Sequence, residues 1–371
     1  MAKMPKRIAL ENSPLSEAET LDNLLTEFPF PDERSPSEYY RETDGGHDEK
    51  AAAADEDGTH ENASLIHPIQ LLVYGCPGSG KSHYLQQCAV SANRVITIVF
   101  HPETSYADFV GVYRPCPLYG GIEDTYRDEA GQLRRHGEPF ITYEFVPGPL
   151  LEAYCHAKAH PGHATVLIIE ELSRANAALA FGDMLQLLDR SDGTDDRFVG
   201  ESTYAIQPRP EVTAYLVSKG FLTPADTKIR FPPNLYLWAS MNRADQNARQ
   251  LDTAFLRRWR KRHMSYSARC TYGDTPIEVP QHGLIAWDSL RNAINDKLID
   301  IVPEDKLLGP YFLPRVSLSS REHVADDLLG YLWSDVLKSR ARELFTMPTF
   351  TAVRDAWVSG SACPIKVLPS E

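Results

Sequence analysis

The run Gly75-Cys76-Pro77-Gly78-Ser79-Gly80-Lys81-Ser82 is a full match to G-x-x-x-x-G-K-[ST], and its chemistry is the capture of phosphate. Glycines let backbone N–H groups curl inward around phosphate oxygens, and a helix starting there aims its positive dipole end at the same anion. Lys81 supplies a point charge for the β- and γ-phosphates, and the Ser82 hydroxyl suits Mg²⁺. Gly75, Pro77, Gly78, Ser79, Gly80, Lys81 and Ser82 are therefore the nucleotide-binding candidates; Cys76 needs no redox role. A second constellation is Glu170-Glu171, two carboxylates closing the run Thr165-Val166-Leu167-Ile168-Ile169. Glu170 is placed to hold the metal, directly or through water, and Glu171 to orient or deprotonate an attacking water. A solvated pair opening a helix would satisfy the same spacing through the dipole, but Lys81 upstream argues for the chemical role. Asn242 ends a third run, Leu235 to Met241, where it could bridge the acids, the water and the γ-phosphate. Arg257 and Arg258 either form a basic surface patch or face a neighbouring subunit's nucleotide and stabilise transition-state charge. Their spacing alone leaves both open.

These side chains need a scaffold that brings three strand ends together. Ile69 to Tyr74 reads as a buried strand feeding the glycine loop, and His83 to Val90 as the helix after it. The apolar run before Glu170 describes a buried parallel strand, and ligands sit at the carboxyl ends of such strands. The expectation is an α/β fold. Between Pro115 and Phe140 the sequence predicts a loop, with Gly120-Gly121 and Gly131 as turn signals. Asp192 to Asp196 predicts another. Either loop could contact a partner. Helical spacing returns over Ile285–Ile299 and Arg321–Phe345, with Leu328, Leu329, Leu332, Trp333, Val336 and Leu337 forming one stripe of core.

Charge is unevenly placed along the 371 residues. The formal net charge is −13, yet residues 1–65 hold 16 acidic and 6 basic residues, a net of −10. That segment is expected to be an acidic, flexible arm, with a short amphipathic helix over Glu17–Phe28 carrying Leu21, Leu24, Leu25 and Phe28. It is a solvated tail or a docking segment for a partner. The remainder is close to neutral, which argues against direct recognition of duplex DNA despite the basic cluster Arg257 to His263. No apolar window approaches the roughly 18 residues a membrane span needs, and no secretory h-region follows the first basic residues. A cytoplasmic protein is expected. Six scattered cysteines read as ordinary thiols. His156, His160 and His163 lie near Cys155, but Lys158, Pro161 and Gly162 break any single ligand face.

The ordered set resembles the AAA+ superfamily, and within it the McrB-like NTPases of bacterial modification-dependent restriction systems. The resemblance covers about residues 69–345. Beyond the glycine loop it rests on Phe100-His101-Pro102, Ser105 to Gly111, Tyr143 to Pro149, Glu170 to Asn176, Phe181 to Arg190, Met241 to Asn247 and Asp305 to Phe312. It implies a P-loop AAA+ domain, a parallel sheet flanked by helices, plus a C-terminal helical lid. The divisions would be an arm at 1–65, the NTPase core at 66–270, and the lid and tail at 271–371. Gly75 to Ser82 would be Walker A, Glu170 with Glu171 Walker B, Asn242 the sensor, and Arg257 with Arg258 the trans-acting arginines. Arg174 and Asn176 match a family segment near the subunit interface.

The protein implied by this resemblance hydrolyses Mg-ATP or Mg-GTP between the subunits of a ring, a hexamer. It would drive a partner effector, an McrC-like or nuclease subunit, in DNA restriction or antiphage defence. Three features depart from the family. Glu170 stands where aspartate is more usual, and Asn242-Arg243-Ala244-Asp245 replaces Asn-Thr-Ala-Asp, which leaves ATP against GTP open. No target-reading module is visible in residues 1–65, so DNA contact and cleavage are expected in the partner. The competing readings are a nucleotide-dependent assembly switch or scaffold, and a protein-remodelling ATPase of the MoxR kind.

Overall fold

Thr165–Glu170 is apolar at every position but its ends, and all its residues save Glu170 are buried. A strand buried on both faces belongs in the middle of a parallel sheet. A computed structural model describes residues 65–118, 125–127, 131–135, 140–193, 199–242 and 251–366. All lie in the unit His60–Glu371; the other unit, Met1–Thr59, is outside the described residues. So are residues 1–64 of the arm with its expected helix, Gly120-Gly121, residues 194–196, and Arg243 to Asn247.

In chain order the elements are β1 (Gln70–Gly75), α1 (Lys81–Cys88), β2 (Arg94–Val99), α2 (Tyr106–Phe109), β3 (Gly111–Leu118), β4 (Thr125–Arg127), β5 (Leu133–Arg135) and β6 (Phe140–Pro147). There follow α3 (Pro149–Ala159), β7 (Thr165–Glu170), α4 (Ala177–Phe181), α5 (Pro210–Ser218), β8 (Leu235–Met241), α6 (Thr253–Leu256) and β9 (Arg260–Met264). The five-stranded sheet has the order β2-β7-β8-β1-β9, and each of its four pairings is parallel. Alternation along the strands builds a core on each face. Leu72, Leu167, Ile169, Leu237 and Ala239 join one cluster with Phe100, Phe109, Tyr154 and Phe181. Leu71, Val73, Val166, Ile168, Tyr236 and Trp238 join the other with Leu85 and Cys88 of α1. The edge strand β9, Arg-Lys-Arg-His-Met, is exposed over its first four residues, and charge on an edge discourages pairing with another chain.

The region from Pro115 to Phe140 departs from the expected loop. Its ends are strands, with β3 and β6 pairing antiparallel from Gly111 opposite Pro147 to Leu118 opposite Phe140. β4 and β5 pair in the same way further out. Mixed exposure along β3 and β6, including exposed Tyr113, Ile141 and Tyr143, removes the alternation that would have marked them.

A separate hydrophobic core runs from Cys270 to Ile365. It contains β10 (Pro276–Val279), β11 (Gly283–Ala286), α7 (Trp287–Leu298), α8 (Arg321–His323) and α9 (Phe350–Ser359). After α8 the chain stays helical but winds in π turns over Val324–Leu329 and Leu332–Leu337. Leu328, Leu329, Leu332, Val336 and Leu337 of the expected stripe are buried there, with Trp333 packed against them.

Candidate active site

Register brings the reacting groups together. Ile169 of β7 pairs with Ala239 of β8, and Met241 of β8 pairs with Tyr74 of β1. The carboxyl ends of three adjacent strands therefore lie side by side, bearing Glu170-Glu171, Ser240 to Asn242, and the glycine loop. Gly80 enters α1 with φ 86°, and Gly78 has φ 71°, both in the left-handed region that glycine adopts without steric cost. Gly75 has no room for a Cβ, because the Met264 carbonyl oxygen occupies that space.

Lys81 is buried, and its ammonium donates to the carbonyls of Gly75 at 3.1 Å and Cys76 at 2.9 Å. Burial pushes its pKa below the ordinary lysine range, opposed by nearby acidic groups that include Glu171 and Glu170. Burial pushes the Cys76 thiol up to about 11, so it stays protonated and unreactive. Ser79 closes the loop on itself, its hydroxyl donating to the Cys76 carbonyl at 2.8 Å.

The Ser82 hydroxyl donates to Glu170 Oε2 at 3.0 Å, and the Ser240 hydroxyl donates to the same oxygen. A serine hydroxyl beside a carboxylate is a set of hard oxygen donors that fits Mg²⁺ shared with phosphate. Glu171 sits one residue beyond β7 with φ 56° and ψ 41°, a left-handed conformation uncommon outside glycine and frequent where a site needs a sharp turn. Its N–H bonds Ser240 Oγ at 3.3 Å, and Asn242 Nδ2 donates to its Oε1 at 2.8 Å. The second oxygen, Oε2, is buried without a hydrogen bond and faces Arg174 Nε at 3.5 Å as an ion pair. Asn242 Oδ1 is likewise buried without a hydrogen-bond partner. An acceptor on Glu171 and an acceptor on Asn242 thus remain for a water.

Arg257 and Arg258 are not brought into this site. Arg260 pairs with Leu71, so both arginines lie beyond the opposite, amino-terminal end of β1. At about 3.3 Å per residue they are some 15–20 Å from their own phosphate loop. Arg258 grips Asp189 with Nε and an Nη at 2.9 and 2.7 Å and donates to the Ala254 carbonyl, whereas Arg257 is exposed. With Arg190 and Arg260 they line a cleft of about 460 Å³. Among sequence-named residues, Arg174 now has a contact, and Ser240 is an addition. Ser240 lies in β8 two positions before Asn242, which follows the strand directly, and this period-two spacing is the signal that could have found it.

The family model for the AAA domain (dynein-related subfamily) matches residues 70–259, which contain the phosphate loop, Glu170, Glu171, Ser240, Asn242, Arg257 and Arg258. The chain belongs to the AAA domain family. The Type II restriction enzyme BsuMI component YdiS of Bacillus subtilis (strain 168) is 37% identical over 283 residues, 73% of this chain and 80% of that protein. The Type IV methyl-directed restriction enzyme EcoKMcrB subunit of Escherichia coli (strain K12) is 26% identical over 195 residues, 51% of this chain and 34% of the subunit. The chain therefore spans about a third of that McrB subunit. Within the AAA superfamily it is a McrB-like NTPase, related to restriction-system components. Among the described residues no helix is long and apolar enough to cross a membrane, and no group of three or more metal-binding side chains occurs.

Proposed function

We propose that this AAA protein hydrolyses a nucleoside triphosphate with Mg²⁺ at the interfaces of a ring of its own copies, and that turnover drives a partner effector of a restriction system. The observation that carries the chemical part is the split of the Walker B pair: Glu170 faces Ser82, while Glu171 faces Asn242 and keeps one buried oxygen without a hydrogen bond. Ser82 and Glu170 would hold the metal, which when bound neutralises charge on the phosphates. The loop's N–H groups and Lys81 orient the γ-phosphate, and Glu171 accepts the proton of the attacking water while Asn242 fixes that carboxylate's angle. The remote arginines act on a neighbouring copy's nucleotide. Relationship to YdiS and to the McrB subunit supports the restriction setting.

The test is Glu171→Gln, which keeps the shape and one oxygen of Glu171 but removes its basicity. Binding of a fluorescent nucleotide should stay within threefold of wild type, and turnover should fall by about 10²–10⁴-fold. Wild-type turnover in Glu171→Gln would overturn the assignment of the base.

A further inference from the structure

The phosphate loop is clasped from outside by a strap of the second core. The Gly309 N–H donates to the Pro77 carbonyl at 2.9 Å, and the Tyr311 N–H donates to the Gly78 carbonyl at 2.7 Å. Contact is so close that a Cβ on Gly309 would collide with the backbone of Gly78, and a Cβ on Gly78 with that of Phe312. The Tyr311 ring lies 3.2 Å from where a Cβ of Gly80 would stand.

One ridge of α7 holds this strap. Trp287, Arg291 and Asn295 are spaced by four residues, so they share a face of the helix, and all three are buried. Trp287 Nε1 donates to the Pro310 carbonyl at 2.8 Å. Asn295 makes a two-way clamp on Leu308, donating to its carbonyl and accepting from its N–H, each at 2.9 Å. Arg291 reaches the Leu308 carbonyl at 3.4 Å, the Ala268 carbonyl at 3.1 Å and the Tyr266 carbonyl, and pairs with Asp288 at 2.9 Å.

We infer that Trp287 and Asn295, backed by Arg291, are positioning residues for the phosphate loop, acting through Leu308–Phe312. This rests on reading Gly75–Ser82 as the triphosphate cradle. The physical link is the planar trans peptide, in which C=O and N–H point in opposite directions. Holding the Pro77 carbonyl from the strap side turns the Gly78 N–H toward the other side of the loop, and holding the Gly78 carbonyl fixes the next peptide, whose Ser79 N–H bonds the Cys76 carbonyl at 3.3 Å and so sets the loop's curl. Pre-set donors bind an anion without first having to be ordered, so loosening the strap weakens nucleotide binding. Glu171 and Asn242 lie elsewhere, so the rate at saturation is spared.

The experiment uses the full chain with fluorescent ATP and GTP analogues, amide hydrogen exchange over residues 307–313, and steady-state turnover. Trp287→Phe removes one donor and keeps an aromatic ring; Asn295→Asp keeps shape and the acceptor but sets a carboxylate against the Leu308 carbonyl. Each should speed exchange in the strap and raise Kd and KM about tenfold, the size of one strong hydrogen bond lost, with kcat within threefold of wild type. A purely structural role would lower the melting temperature and leave Kd of the folded protein unmoved. Kd within twofold of wild type in both variants, with the strap exchanging faster, overturns the positioning role alone. Wild-type protein that binds no more nucleotide than Lys81→Ala overturns the nucleotide reading, and the strap's role with it.

Discussion

Lys81 must be charged to hold phosphate, yet it is buried among loop carbonyls, and burial lowers its pKa. The sign of the consequence follows from linkage. Phosphate binds best to the ammonium form, so affinity is fullest below the free-state pKa and falls as pH rises through it. Because that pKa lies below the ordinary lysine value of 10.5, the fall should begin at a lower pH than an exposed lysine would give. Titrating Kd upward from about pH 8, where the phosphates themselves no longer titrate, isolates the effect. A profile that stays flat until ordinary lysines deprotonate would contradict it. At the same scale, serine hydroxyls fix the acidic pair, Ser82 and Ser240 both donating to Glu170. Ser240 holds Glu170 by its hydroxyl and the Glu171 N–H by its oxygen, so one buried side chain sets the spacing of both acids.

Elements carry this geometry, and some of it was legible in the order of residues. The apolar runs ending in Gly75, Glu170 and Asn242 mark parallel strands whose ends meet, because apolar composition and the loop pattern are local properties. The strand order and the long hairpin of β3 and β6 were not legible, since pairings between residues far apart leave no local period. Arg258 was read by its neighbour Arg257, but its partner Asp189 lies 69 residues away. Arg190 is a similar case. It donates to Gln70 Oε1 and to the carbonyls of Gly200, Phe231, Pro232 and Leu235, tying the entry to β1 and β8. Replacing it by Met removes these donated bonds together, although the Phe231 and Pro232 carbonyls keep the N–H groups of Ser202 and Leu235, and stability should fall by about 3 kcal/mol. Denaturant midpoints measure this, and a change under about 0.5 kcal/mol, the range of neutral surface substitutions, would refute the tie.

At the scale of the whole molecule, the arginine pair decides between a self-sufficient subunit and one completed by its neighbour. Neither arginine can reach its own phosphate loop from the far end of β1. Arg258 is held by Asp189 and anchors the turn, leaving exposed Arg257 to reach out. Arg257→Ala should therefore cut turnover by about 10³-fold or more, the usual worth of a trans arginine, without changing the melting temperature. Lys81→Ala fails for a different reason, since it loses the nucleotide but keeps Arg257. Mixing the two inactive proteins in equal amounts places some intact loops beside some intact arginines. If subunits mix at random and interfaces act independently, about a quarter of interfaces regain both, so turnover should return to about a quarter of wild type. Arg258→Ala should be rescued less well, because it also frees Asp189 and loosens the turn that carries Arg257. No recovery in freshly exchanged mixtures of Arg257→Ala and Lys81→Ala would overturn the trans role of Arg257.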